Sequence, residues 1–170
     1  MTTRKHPLAE LAQRTIEEFV RSGRKPQAPE DYRHDPPSGV FVSLKKSGKL
    51  RGCIGTITPA TENLAQEVIE NAISAAVRDP RFPPVSDEEL DDLEVTVDVL
   101  TEPESVQDES SLDEKRYGVI VKSSGKRGVL LPDLSGVDSV QRQLEIARRK
   151  AGIGNEENFE IYRFEVKRYR

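Results

Sequence analysis

Apolar residues Leu8, Leu11, Ala12, Ile16 and Val20 recur at the three- and four-residue intervals of one helix face. Pro7 suits a first helical turn and Gly23 a stop, so a helix is predicted over 8–22. Residues 24–38 carry Pro26, Pro29, Pro36 and Pro37 and read as an ordered surface loop. Val40 to Leu44 is a short strand, Ser47-Gly48 a turn, and Lys49 to Ile57 the returning strand of a hairpin. Leu64, Val68, Ile69, Ala72, Ile73 and Ala76 share one face of a helix over about 61–78, which Asp79-Pro80 ends. Ser86 to Glu89 resembles a capping box that opens a short helix, and Leu93 to Leu100 alternates as a half-buried strand.

The second half echoes the first. Gly39-Val40-Phe41-Val42, Ser47-Gly48-Lys49 and Arg51-Gly52 are matched by Gly118-Val119-Ile120-Val121, Ser124-Gly125-Lys126 and Arg127-Gly128. A helix over about 137–151 and a strand over 159–166 follow. The order hairpin, helix, strand thus occurs twice, which predicts an internally duplicated β-β-α-β unit. The expected fold is α+β: one domain over 1–170, with two lobes of mainly antiparallel sheet packed with helices. Its approximate halves are 39–100 and 118–168, with the helix over 8–22 packed on the larger lobe. A cleft between such halves is a natural place for a ligand.

Composition narrows the function classes. A chain of 170 residues with 33% charged residues and no apolar run of membrane-spanning length argues for a soluble protein and against a membrane span. The N-terminus lacks the apolar stretch of a secretory signal, and a single Cys fits a reducing compartment, so a cytoplasmic location is expected. One Cys and two His argue against a Cys/His zinc site, and no metal site is expected. The net charge of −4 hides an asymmetry. Residues 87–114 hold 13 carboxylates and no Lys or Arg, a pattern that reads as a solvated face or loop. The C-terminal part is basic, with Arg148, Arg149, Lys150, Lys167, Arg168 and Arg170. The pI near 5.4 and the lack of RNP aromatics argue against a dedicated nucleic-acid binder.

Candidate chemistry centres on Leu50-Arg51-Gly52-Cys53-Ile54-Gly55. Strand alternation puts Arg51, Cys53 and Gly55 on one face. Two glycines inside a strand make sense where a bulge forms or another group approaches the backbone closely. The only thiol thus lies two residues from a guanidinium, an arrangement that favours thiolate. Cys53 fits a buried apolar filler, a ligand contact or a nucleophile. A nucleophile needs a base, and only His6 and His34 are available. Glu70 and Asn71 interrupt the apolar helix pattern; Glu70 either meets Arg51 or is solvated. Arg81, in the Pro-rich exit loop 79–84, either clamps a ligand or pairs with Asp79.

These residues resemble the AMMECR domain family, whose signature hexapeptide looks like residues 50–55. Further matches in order are Gly39-Val40-Phe41-Val42, Glu70-Asn71-Ala72, Asp79-Pro80-Arg81-Phe82-Pro83-Pro84, Asp92-Leu93-Glu94, Gly118-Val119-Ile120, Gly128 with Leu131-Pro132, Lys150-Ala151-Gly152 and Tyr162-Arg163-Phe164. Many relatives carry a second Cys just before the Lys-Ala-Gly, where this chain has Arg148 and Arg149. The resemblance implies a two-lobed α+β fold with the chain ends together in the larger lobe. It implies no established activity and no known cofactor. It also implies an association with a Memo-type metal-dependent protein and a radical SAM enzyme, the AmmeMemoRadiSam grouping, of which this would be the component A type.

Three readings follow. The chain is an accessory or substrate-binding component of that grouping, holding a small anionic ligand with Arg51, Gly52, Gly55, Glu70, Asn71 and Arg81. Alternatively it is an enzyme using Cys53 as nucleophile or redox thiol. In the third reading it is a non-catalytic interaction domain that uses its acidic stretch or basic end.

Overall fold

The computed structural model describes residues 4–32 and 35–170. Helix α1 (Pro7–Ser22) starts where expected: the Nδ1 of His6 accepts the Leu8 N–H at 3.2 Å, and Pro7 occupies the first turn. It ends at Gly23, whose φ of 69° is the left-handed stop. Strands β1 (Val40–Lys46) and β2 (Lys49–Gly55) form the first hairpin. Helix α2 (Leu64–Val77) follows, three residues later than the apolar pattern suggests, because Asn63 caps it by accepting the Gln66 N–H at 2.9 Å. A 3-10 helix (Asp87–Asp92) leads into β3 (Leu93–Leu100).

The second half holds β4 (Glu104–Val106), the hairpin β5 (Gly118–Ser123) and β6 (Lys126–Leu130), α3 (Val140–Ala151) and β7 (Glu160–Phe164), then β8 (Val166–Tyr169). The fold is α+β, with two four-stranded sheets ordered β2-β1-β3-β8 and β4-β7-β5-β6. The pairings β1 with β2 and β3, and β5 with β6 and β7, are antiparallel, as is β4 with β7. Each sheet therefore has the expected hairpin and third strand in the same order, plus one more strand.

Those extra strands correct the sequence reading. The strand expected over 159–166 is broken at Glu165, whose N–H donates to Thr101 Oγ1 at 2.8 Å while its carbonyl accepts the Thr101 N–H at 2.9 Å. Beyond that break the chain forms β8 and joins the first sheet. β4, three residues long, is too short to carry a periodic signal.

The chain divides into two compact units, one of residues 1–100 with 167–170, the other of residues 101–166. In the first, α1 and α2 cover the sheet, and Leu11, Ile16, Val42, Leu44, Val68, Ile73 and Val97 form its core. Its two ends meet: the His6 N–H donates to the Arg170 carbonyl at 2.9 Å, and the His6 ring stacks on Tyr169. In the second, α3 lies on β5 and β6 around Val119, Val121, Leu144 and Ala147. No helix among the described residues is long and apolar enough to cross a membrane.

The echoed motifs occupy matching places. Ser47 and Gly48, and Ser124 and Gly125, all have positive φ and close the two hairpins as two-residue turns. Gly52 faces α2 so closely that a Cβ would overlap the Ala75 carbonyl oxygen; Gly128 meets the Ala147 carbonyl oxygen of α3 in the same way. Glycine here lets a helix backbone lie directly on a strand.

Candidate functional site

The signature strand β2 is bulged. Leu44 pairs with Gly52 but Lys45 pairs with Leu50, which leaves Arg51 as the extra residue. Arg51 is turned onto Glu89 in a two-pronged pair, Nε to Oε1 at 2.9 Å and Nη2 to Oε2 at 3.0 Å. Its side chain is only 12% exposed. Glu89 also accepts the Ser86 N–H at 2.9 Å, completing the box expected there, and pairs with Lys46 at 3.2 Å. Arg51 first, then the Ser86 N–H, hold the Glu89 carboxyl at about 2. Arg51 is thus a building element of the first unit. Among the described residues its Nη1 is buried without a hydrogen-bond partner.

Cys53 points to the sheet face away from α2. It stands opposite Ser43 on β1, with Sγ and Oγ 3.2 Å apart. Its backbone is gripped from the exit loop of α2. The Cys53 N–H donates to Asp79 Oδ2 at 3.0 Å, and its carbonyl accepts from Arg81 Nη2 at 3.2 Å. Arg81 closes the ring onto Asp79, Nε to Oδ1 at 3.0 Å and Nη2 to Oδ2 at 2.8 Å, and its backbone N–H adds a bond to Oδ1 at 3.0 Å. These donors, the Arg81 side chain foremost, hold the Asp79 carboxyl well below the usual carboxylate range against the cost of burial. Asp79 is 2% exposed and Arg81 51% exposed. The pair therefore hides its negative end and shows its positive end. The Phe82 ring lies 5.5 Å from the Arg81 guanidinium carbon and 6.0 Å from that of Arg51.

The remaining candidates lie elsewhere in the first unit. Gly55 is needed because the Phe41 ring, opposite it on β1, lies over its Cα. Glu70 pairs with Lys25, so Arg51 has Glu89 as its partner instead. Asn71 is buried and donates to the Glu67 carbonyl at 3.0 Å and to Thr56 Oγ1 at 3.3 Å. Of the two available bases, His6 caps α1 and His34 lies outside the described residues.

Two residues went unremarked in the sequence. Ser43 is the polar position of β1 opposite the thiol, a pairing that only strand register reveals. Glu67 is 1% exposed and accepts from the hydroxyls of Thr56 and Thr61 and the N–H groups of Ala60 and Thr61. Burial pushes its carboxyl up, but those donors outweigh it and the net direction is down. The signal was available: Glu67 and Asn71 are polar residues four apart on the apolar helix stripe.

The charged stretches are partly turned inward. Asp98, from the acidic run, is buried against Arg168, 2.8 Å away, and burial raises its carboxyl despite that pair. Asp87 pairs with Arg21. At the basic end, Lys150 donates to the Val129 carbonyl and Arg148 to that of Gly154.

An α+β chain with two four-stranded sheets and a clamped, thiol-bearing signature strand defines the class of protein. The chain belongs to the AMMECR1 family, whose model matches residues 9–169. It is 52% identical to a protein of Thermotoga maritima over 97% of this chain and 98% of that one. It is 48% identical to a protein of Clostridium acetobutylicum over 98% of this chain, and there it spans only 36% of the relative's length. The crystal structure of an uncharacterized protein from Pyrococcus horikoshii matches with a TM-score of 0.86 at 34% identity, covering 95% of this chain and 88% of that one.

Proposed function

We propose that this chain is a binding component that receives an anionic substrate group beside the Cys53 thiol, working with a Memo-type protein and a radical SAM enzyme. The observation that carries the reading is the asymmetry of the Asp79 and Arg81 pair: 2% exposed at the carboxylate and 51% at the guanidinium. A buried anion and an exposed cation give the outer surface a positive potential next to the thiol. Arg81 is the ligand-facing cation of this reading, and Arg51 supports the strand from behind.

The test mixes the purified chain with a Memo-type protein and a radical SAM protein and follows co-elution. A complex weakened by carboxymethylation of Cys53 and by the paired substitution Asp79→Asn with Arg81→Gln supports the reading. No complex, or one indifferent to both changes, contradicts it. A complex lost only when exposed acids of 87–114 are neutralised would favour a plain interaction domain instead.

A further inference from the structure

We infer that the groove at the β5–β6 turn is a second binding site, for a phosphate-bearing small molecule of nucleotide size. The groove is open to solvent, spans about 780 Å³ and is lined by Lys122, Ser124, Lys126, Arg127, Asn158 and Phe159, among others. That volume falls within the range of small-molecule sites. It lies wholly in the second unit, and so stands apart from the Cys53 reading.

Charge supplies the first argument. Lys122 and Arg127 stand directly opposite each other on β5 and β6. Like charges so placed destabilise a sheet unless something lies between or over them. Lys122 also faces Glu160 across β5 and β7, and its ammonium lies 4.6 Å from the Tyr162 ring centroid. Arg127 is exposed, and no carboxylate among the described residues is within ion-pair distance of it.

The echo between the halves supplies the second argument. Arg127 precedes Gly128 as Arg51 precedes Gly52, and both glycines meet a helix carbonyl. In the first unit that arginine is neutralised by Glu89. In the second there is no bulge: Arg127 stays in register opposite Lys122 and its five-donor fork is left exposed. A phosphate, with several acceptor oxygens and more than one negative charge, matches that fork, and the Lys122 ammonium on the neighbouring strand adds positive field.

The remaining groups set limits. Lys126 is held by Glu157 at 2.8 Å and by the Gly152 carbonyl at 3.1 Å, so it adds field rather than a free donor set. Glu160 accepts the Tyr162 hydroxyl at 3.2 Å and stands on the β7 side of the groove. Phosphate therefore sits on the Arg127 side. Phe159 carries the Arg148 guanidinium 4.6 Å from its ring centroid. The Phe159 ring packs on the core of the second unit, so Phe159 bounds the groove rather than supplying an apolar contact.

The experiment is an amide NMR titration with pyrophosphate and with ATP. Saturable shifts confined to residues around Ser124, Gly125 and Arg127 are expected. Lys122→Gln with Arg127→Gln should weaken both probes about tenfold or more while leaving the rest of the spectrum unchanged. No saturable shift up to about 10 mM, or saturable shifts that survive the double substitution, would overturn the inference. So would binding of a single-stranded oligonucleotide by a protein that binds neither small probe. The rate of Cys53 alkylation, read in the same samples, reports the first unit separately.

Discussion

The backbone N–H of Cys53 donates to the carboxylate of Asp79, 26 positions later, at 3.0 Å. A side chain from the exit of α2 thereby fixes the peptide of the thiol-bearing residue. Asp79→Ala removes the acceptor of the part-buried Cys53 N–H and the partner of the half-exposed Arg81 guanidinium. A loss of about 1–3 kcal/mol is expected in chemical unfolding, by the cost of leaving that N–H unpaired. Amide exchange at Cys53 should accelerate in the same variant.

Arg51 and Glu89 are a half-buried, two-pronged pair, and Arg142 and Glu145 an exposed one. Double-mutant cycles with Gln should separate them. A coupling of about 1–3 kcal/mol is expected for the first and under about 0.5 kcal/mol for the second. Equal couplings would contradict the structural role given to Arg51.

Gly52→Ala and Gly128→Ala should both destabilise, by about 1–3 kcal/mol each, since each methyl meets a helix carbonyl. Gly48→Ala, in the first turn, tests a different cause. Its φ of 74° carries strain but its surroundings are open, so a smaller loss is expected. Thermal melts of the three variants make the comparison.

Stability should fall on acidification from about pH 4.5 to about pH 2. Glu89 has its carboxyl lowered from 4.5 to about 2 by Arg51 and the Ser86 N–H. A lowered acid contributes stability that is complete above its unfolded value and lost as pH drops through its folded one. Asp79 and Glu67 act in the same direction. Asp98 acts oppositely: raised by burial, it lowers stability as pH rises through its folded value. Melting temperature against pH should therefore flatten at the acid end in Glu89→Gln.

Much of this was legible in the chain. Periodicity located α1, α2 and α3, turn signals located the hairpins, and the paired Ser-Gly-Lys and Arg-Gly motifs fell at the turns and helix-facing glycines of both hairpins. The glycines at 52 and 55 pointed to a bulge or a close approach; the structure has close approach at both and a bulge at Arg51. Three things were not legible. The switch at Glu165 depends on bonds to Thr101, 64 residues away, which no local pattern encodes. The choice of Glu89 rather than Glu70 for Arg51 depends on the bulge that turns its side chain. The role of Asp79 was visible only as half of a pair with Arg81, because its bond to Cys53 is made by the backbone, which carries no sequence signature.

The central claim is that Cys53 lies in a positive potential supplied by the outer face of Arg81. Its most direct test is the ratio of alkylation rates with iodoacetate and iodoacetamide, reagents of similar size of which the first is anionic and the second neutral. Burial and thiolate fraction cancel in that ratio. In the native protein it should exceed the ratio in the unfolded chain by about three- to tenfold, the size of one partly screened charge at close range. Asp79→Asn, which leaves Arg81 uncompensated, should raise it further. The paired change of Asp79→Asn with Arg81→Gln should return it to the unfolded value. A native ratio equal to or below the unfolded one would contradict the account.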